Sequence, residues 1–341
     1  MKLGDIAVSY IDIVINAMSA LGCESDAVLA QYGLNSKIIA SPDARISIPK
    51  FMRFGHSCIH SAQAPWLGLE MGKVTSPAHL GLAGFIALSS DTIADAFANL
   101  TLYELLNSYN VRGQSSFYLE QGCAVLQFYS ISPYNAYNYF VVDSVLSAWY
   151  HAMSWLGGNA NDIEKICFEF PAPQYADKYR DYFACEVLFE QDKNCMVISA
   201  EAVKFKCLHH CQSTNAALIR QADNELNKVR LGLSFHEKVS RVIGPLLNDS
   251  TPTLEQVAEQ LNMTPWTLRR RLVAEGGSFQ QSLNRTRLEL AISYVCDTTL
   301  SLGEISYLLG FSSSSAFQRA FKRWTGAAPG QYREAASAKK I

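Results

Sequence analysis

At 341 residues, 49% hydrophobic and 18% charged, the chain is long enough for two domains that each bury a core, and too apolar to be disordered. The net charge of −2 is held unevenly: from Phe235 onward 13 Lys/Arg stand against 9 Asp/Glu, a balance of +4, and before it 16 stand against 22, a balance of −6. This division excludes the acidic part from nucleic-acid binding and admits the basic part.

The first fifty residues predict helix, with Ile6, Ile11, Val14, Ile15 and Met18 on one apolar face. A short helix follows over Ser25 to Tyr32, stopped at Gly33. Pro42 and Pro49 mark turns, and Phe51 to Ser61 suggests another helix. Gly68, Gly72, Gly81 and Gly84 interrupt two apolar stretches. They match neither GxxxxGK[ST] nor GxGxxG, so they read as close-packing positions. Asp91 is placed to cap a helix carrying Ile93, Ala96, Phe97, Leu100 and Glu104.

Ser116 to Ser130 reads as a β-hairpin turning at Gln121-Gly122. The apolar run Tyr139 to Leu156 contains Asp143 and His151, and so reads as a buried helix, not a membrane span. Ile166, Phe168 and Phe170 alternate with polar residues in a strand ending at Pro171. A helix at Gln174 to Phe183 and strands at Val187 to Phe189 and Met196 to Ile198 complete an α+β domain. Phe117, Tyr118, Phe128, Tyr129, Tyr134, Tyr137, Tyr139, Phe140, Trp149 and Trp155 crowd one segment, as core residues or as the wall of an apolar cleft. Beyond this domain, Leu218, Ala222, Leu226 and Val229 form a narrow stripe on a polar helix, suited to internal packing or to dimerisation.

The last hundred residues hold an internal repeat. Leu254, Val257, Ala258 and Leu261 recur 48 positions later as Leu302, Ile305, Ser306 and Leu309, each set lining one face of a short helix. Thr253 with Gln256, and Ser301 with Glu304, are capping boxes that satisfy orphan backbone donors. A second helix follows in each unit, making two helix-turn-helix patterns. In the first, Thr264 caps, Pro265 fits the first turn, and Leu268 and Leu272 face inward. Trp266, Arg269, Arg270 and Val273 then share an outer face. In the second, Phe317, Phe321 and Trp324 face inward, while Ser314, Ser315, Gln318 and Arg319 lie outward, followed by Lys322 and Arg323. Arg can reach guanine O6 and N7, Gln can read adenine, and Ser and Lys suit phosphates or bases. Gly277 to Val295 predicts a connecting helix able to hold both reading helices on one face of DNA.

These residues, with Arg287-Leu-Glu-Leu-Ala-Ile-Ser-Tyr-Val295, Gly310-Phe311, Thr325-Gly326, Pro329 and Tyr332-Arg333, resemble the DNA-binding domain of AraC/XylS-type transcription regulators over about Phe235 to Arg333. The resemblance implies that Trp266, Arg269, Arg270, Ser314, Ser315, Gln318 and Arg319 are base-reading positions. Ser306 departs from the alanine usual there, without a change of size that would disturb the fold. The N-terminal part is similar to the effector domain of the subgroup that includes the ornithine and virulence regulators. The match is carried by Pro42-Asp-Ala-Arg-Ile-Ser-Ile48, Leu67-Gly-Leu-Glu-Met-Gly72, Gly81-Leu-Ala-Gly84, Ser89-x-x-Thr92 with Ala96-Phe97, and Ile166-Cys-Phe-Glu-Phe-Pro171. That resemblance implies small-molecule sensing and often dimerisation.

The expected organisation is an α+β effector domain over 1–205, a helical linker over 206–234, an all-α domain with two helix-turn-helix units over 235–333, and a tail over 334–341. Nine scattered cysteines without a CxxC pair point to a reducing compartment, and Asp5 and Asp12 rule out a signal peptide, so a cytoplasmic protein is expected. Its expected partners are double-stranded promoter DNA and a small, largely apolar effector. RNA polymerase and a second copy of the chain are further candidates; no cofactor and no membrane are expected. The reading is a ligand-responsive, sequence-specific transcription regulator. One alternative is a redox- or metal-sensing regulator in which Cys207 and Cys211, four residues apart on a helix, act with His209 and His210. The other is an enzyme fused to a DNA-binding module, although GxSxG and HExxH are both absent.

Overall fold

The computed structural model describes residues 4–110, 113–120, 122–130, 134, 137–232, 235–247, 251–298 and 300–338. It divides into two compact units, one of Gly4–Ser130 with Tyr134–Arg230 and one from Leu231 onward.

The first unit is α+β. Strand β1 (Gly4–Ala7) lies between β2 (Arg45–Ser47) and β3 (Ser108–Asn110), antiparallel to both. Helix α1 (Ser9–Ala20) therefore starts later than helical periodicity predicts. Ile6 is drawn into a strand because its backbone pairs with Ile46 and Ser108, partners that no local pattern reveals. Helices α2 (Asp26–Gln31), α3 (Ser36–Ile39), α4 (Ile48–Ala62) and α5 (Leu67–Val74) follow, with Pro49 inside the first turn of α4. Next come α6 (Gly81–Ser89), α7 (Ile93–Leu102) and α8 (Glu104–Asn107). The cap of α7 is Thr92, not Asp91: its hydroxyl accepts from the Asp95 amide at 3.1 Å, and the Asp95 carboxylate accepts in return from the Thr92 amide.

A five-stranded sheet, in the order β4-β5-β8-β6-β7, forms the other half of the unit. The hairpin β4 (Gly113–Glu120) and β5 (Cys123–Ser130) closes through Gly122 at φ +88°; Gln121 lies outside the described residues. Helix α9 (Tyr139–Leu156) ends at left-handed Gly157. After it come β6 (Ile163–Cys167), α10 (Ala176–Tyr182), β7 (Glu186–Leu188), β8 (Cys195–Ile198) and α11 (Gln212–Gly232). Strands β6 and β7 are parallel; the other neighbours in this sheet are antiparallel.

Side chains alternate across the sheet. Leu126, Phe128, Ile166, Met196 and Ile198 face a core shared with α7 and α9, while Val125, Cys167, Cys195 and Val197 occupy the opposite face. Helix α9 lies against α5 at backbone distance. A Cβ on Gly68 would sit 2.5 Å from the Phe140 carbonyl oxygen, and one on Gly72 would sit 2.0 Å from Ser147 Oγ. Asp143 within α9 is fully buried and accepts from the Tyr179 hydroxyl at 2.8 Å. Burial raises its carboxyl well above the usual range. The apolar stripe of α11 is spent inside this unit, with Ala222 and Leu226 buried in the same core.

The second unit is all helical: α12 (Phe235–Leu246), α13 (Leu254–Gln260), α14 (Pro265–Ala274), α15 (Phe279–Asp297), α16 (Leu302–Leu308), α17 (Ser314–Thr325) and α18 (Pro329–Ala338).

Candidate nucleic-acid interface and effector cavity

Each helix-turn-helix unit is built by the same local chemistry. Thr253 Oγ1 accepts from the Gln256 amide at 3.2 Å and Gln256 Oε1 accepts from the Thr253 amide at 2.8 Å; Ser301 and Glu304 make the same pair of bonds at 3.2 and 2.7 Å. The turn passes through Asn262 at φ +52° in one unit and Gly310 at φ +64° in the other. Asn and Gly are the residues that tolerate this left-handed conformation. The second helices are capped by Thr264 and Ser313, each accepting from the amide three residues on. Val257, Leu268 and Leu272 are fully buried in the first unit, as are Ile305, Leu309, Phe317 and Phe321 in the second.

What is left outside is the candidate reading face. Trp266 is 65% exposed, and the Arg270 guanidinium stacks 4.7 Å from its ring centroid. Arg269 is exposed beside them, whereas Arg271 turns back over the Phe235 ring at 5.6 Å. On α17, Ser315, Gln318, Arg319 and Lys322 are exposed, and Gln318 Nε2 donates to half-buried Ser314 Oγ at 3.2 Å. The spacing thus brings the chosen residues of each helix onto one outer face.

Two arginines that the sequence reading quoted without a role hold this unit together. Buried Arg287 on α15 donates to the Leu309 and Gly310 carbonyls at 2.7 Å each and to Thr251 Oγ1 at 2.8 Å, with its guanidinium over Phe311. Arg333 on α18 donates to the Val295 and Leu300 carbonyls at 3.0 and 2.6 Å. Four carbonyl acceptors, at the end of α15, just before α16 and just after it, would otherwise lack these donors.

The first unit holds a cavity of about 90 Å³ between α1, α5, α6, α7, α8, β4 and α9. Ile13, Met71, Leu80, Leu100, Val145 and Trp149 give it apolar walls, and among the described residues Glu104 is its only charged lining residue. The Glu104 carboxylate accepts from the Ser115 amide at 3.0 Å and from its hydroxyl at 2.9 Å. Burial, and then the Glu104 charge, push the nearby Tyr10 phenol up, so it remains a hydroxyl. Of the ten crowded aromatics, only Trp149 lines this cavity; Phe128 and Phe140 are buried core. The missed residues are Tyr10, Glu104 and Ser115. Glu104 alone left a trace, as a carboxylate four residues beyond Leu100 on an otherwise apolar face.

The Cys207–Cys211 stretch does not form the site that its spacing suggests. It precedes α11 instead of lying on a helix, so the two thiols share no helical face. Cys207 is buried and Cys211 exposed. The His210 ring lies 3.4 Å from Asp91, and no cluster of three metal-ligating side chains exists among the described residues.

With both sites in place, similarity to known proteins decides the family. A model of the arabinose-binding N-terminal domain of AraC transcription regulators matches residues 22–206, and a helix-turn-helix domain model matches residues 257–335. The chain belongs to the AraC family of transcription regulators. Two relatives span nearly its whole length. The Ornithine utilization regulator of Pseudomonas aeruginosa is 27% identical over 336 residues, covering 97% of this chain and 96% of its own. The HTH-type transcriptional regulator VirS of Mycobacterium tuberculosis is 25% identical over 332 residues, covering 93% and 92%. Among solved structures, the transcriptional regulator CdpR from Pseudomonas aeruginosa aligns at 18% identity with a TM-score of 0.45, covering 91% of this chain and 96% of its own. This AraC-family protein is a ligand-responsive DNA-binding regulator, with an α+β effector domain followed by a helical DNA-binding domain. No helix among the described residues is long and apolar enough to cross a membrane.

Proposed function

We propose that one chain reads two successive major grooves of promoter DNA, α14 in one and α17 in the next. The observation that carries this reading is the repeated exposed face set on a buried, Arg287-pinned frame. Trp266, Arg269 and Arg270 serve the first groove, Ser314, Ser315, Gln318 and Arg319 the second, and Lys322 contacts phosphate. Helix α15, 19 residues long, spans roughly 28 Å at about 1.5 Å per residue, close to the ~34 Å helical repeat of DNA. A hydroxyl-radical footprint of the full chain should show two protected half-sites about ten base pairs apart on one face. Protection of a single groove would reject the reading.

The effector site in this reading is the cavity of the first unit. Its walls favour a small, largely apolar compound carrying a hydrogen-bond donor for Glu104. At about 90 Å³ the void is smaller than the roughly 300–1,000 Å³ of pockets for drug-sized ligands, so a larger guest must displace a wall. Helix α7 supplies Leu100 and Thr101 to the cavity. Just beyond its end, the Tyr103 hydroxyl donates to Asp223 of α11 at 2.8 Å. Helix α11 runs on to Gly232, next to the start of the DNA-binding unit. Occupancy thereby biases DNA binding by about 1–3 kcal/mol, and operator DNA changes effector affinity by the same factor. Titrating effector candidates with and without operator DNA tests this; equal affinities would exclude coupling. The same reading sets the protein in the cytoplasm as a regulator without enzymatic turnover, with RNA polymerase and a second copy of the chain as partners. Nine free cysteines are in keeping with that setting.

A further inference from the structure

Cys167 on β6 and Cys195 on β8 stand directly opposite each other in an antiparallel ladder. Opposed residues in such a ladder have Cα atoms roughly 4.5–5.5 Å apart, within the ~4.4–6.8 Å span a disulfide takes. Ile166 and Met196, one step along, face the core, so both cysteines project to the other face of the sheet with Val125 and Val197. Both thiols sit in one small buried cluster with Val125 and Val197. The register is therefore compatible with a cross-strand disulfide.

The pair is also asymmetric. Cys167 keeps 5% of its surface exposed and Cys195 only 1%, so a small reagent meets Cys167 first. The neighbouring Cys195 thiol, helped by the Lys165 and Lys193 charges, draws the Cys167 thiol down to about 7, while the proton is held on Cys195. Half-buried Cys185, a third thiol near Cys167, is pushed up to about 11 by burial and stays protonated.

We propose that Cys167 and Cys195 are a redox-modification site, at which a small hydroperoxide converts the thiol pair into a cross-strand disulfide. The Cys167 thiolate attacks the peroxide, the O–O bond breaks, and hydroxide leaves as Cys167 becomes a sulfenic acid. The Cys195 sulfur then attacks the Cys167 sulfur; the S–S bond forms, the S–O bond breaks, and water leaves with the Cys195 proton. Two thiols lose two electrons and two protons, and hydrogen peroxide is reduced to two waters. The product ties β6 to β8 through side chains. The site is separate from the effector cavity and from Cys207 and Cys211, and its outcome is independent of the effector reading.

The test uses the full chain. Exposed Cys211, whose thiol is lowered to about 7 by its hydrogen bonding with Thr214 and Ser213, reacts on its own account and is removed as Cys211→Ser. The reduced protein is treated with hydrogen peroxide, alkylated, digested without reductant and mapped by mass spectrometry. The expected result is loss of two titratable thiols per chain, one linked peptide joining Cys167 to Cys195, and recovery of both thiols with dithiothreitol. In Cys195→Ser a dimedone adduct should accumulate on Cys167; in Cys167→Ser Cys195 should carry none. Mapping on the unsubstituted chain stands whether or not these variants fold. A link from Cys167 to Cys185 in place of Cys195, or thiols at 167 and 195 left intact under peroxide that oxidises Cys211 in the unsubstituted chain, overturns the proposal.

Discussion

The two helix-turn-helix units share one frame and differ in almost everything they show to solvent. Their first-helix caps, turn positions and inner-face quartets correspond at a constant offset of 48, down to the positive-φ pair Asn262 and Gly310, and the second-helix caps Thr264 and Ser313 are one residue further apart. Their cores differ in kind: the first closes on Leu268 and Leu272, the second on Phe317 and Phe321 packed with Phe311 and Tyr332. Their faces differ more. One presents a tryptophan and stacked guanidinium, the other serines, a glutamine and a single arginine before Lys322. The buried positions are fixed by the need to cross two short helices; the exposed ones are free to be chosen by the DNA.

The sharpest way to break the comparison is to collapse one core. Phe317→Ala should cost about 3–5 kcal/mol of stability, with footprint protection lost at one half-site and retained at the other. Urea unfolding and footprinting of the same preparation check it, and simultaneous loss of both half-sites would mean that the units do not fold as separable cores.

Arg287→Ala comes next, at about 3 kcal/mol, because it removes charged donors from buried carbonyls at the second unit's turn. Here the shared frame is the target, so both half-sites should weaken together. Arg287→Lys should rescue little, since a point ammonium cannot match the fork that reaches two carbonyls and Thr251.

Base reading is a smaller effect. Arg270→Ala and Arg319→Ala should each cost about 1–3 kcal/mol on the operator and relax preference at different half-sites. Lys322→Ala should weaken operator and random DNA alike and flatten the salt dependence by about one phosphate contact. Equal losses on both DNAs for Arg270→Ala and Lys322→Ala would overturn the division of roles.

The smallest difference is a titration. The capping box of the second unit uses Glu304 where the first uses Gln256, and the hydrogen bonds from Ser301 hold the Glu304 carboxyl below its usual range. A depressed folded pKa adds stability above the unfolded value of about 4.5, and that increment is lost as pH falls through the folded value. Amide exchange at the start of α16 should therefore accelerate on acidification below pH ~4.5 while the start of α13 does not follow. Glu304→Gln should abolish that difference.

The DNA-binding half could be read from sequence because its signals are local: a helical period, capping boxes at fixed offsets, a proline at a first turn. The effector half was read element by element for the same reason, and failed where pairing is remote. Ile6 became a strand because Ile46 and Ser108 lie on either side of it, and Thr92 took the cap from Asp91 because Asp95 could reciprocate. The cavity was invisible because its walls come from seven elements spread along the chain. Aromatic crowding marked the core instead, and Glu104 was the only residue whose chemistry stood out against its own helix. The Cys207–Cys211 spacing misled because it assumed a helix that begins only at Gln212.

The glycine contact between α5 and α9 also decides how this domain deforms. Gly68 and Gly72 leave no room for a Cβ against Phe140 and Ser147, so α5 and α9 pack backbone against backbone. Both supply walls to the cavity, through Met71 and Thr75 on one side and Ser144 to Ala152 on the other. In the proposed effector reading, a guest larger than the void meets this close-packed pair on one side and α1 with the α7–α8 corner on the other, and that corner carries Tyr103 and its bond to α11.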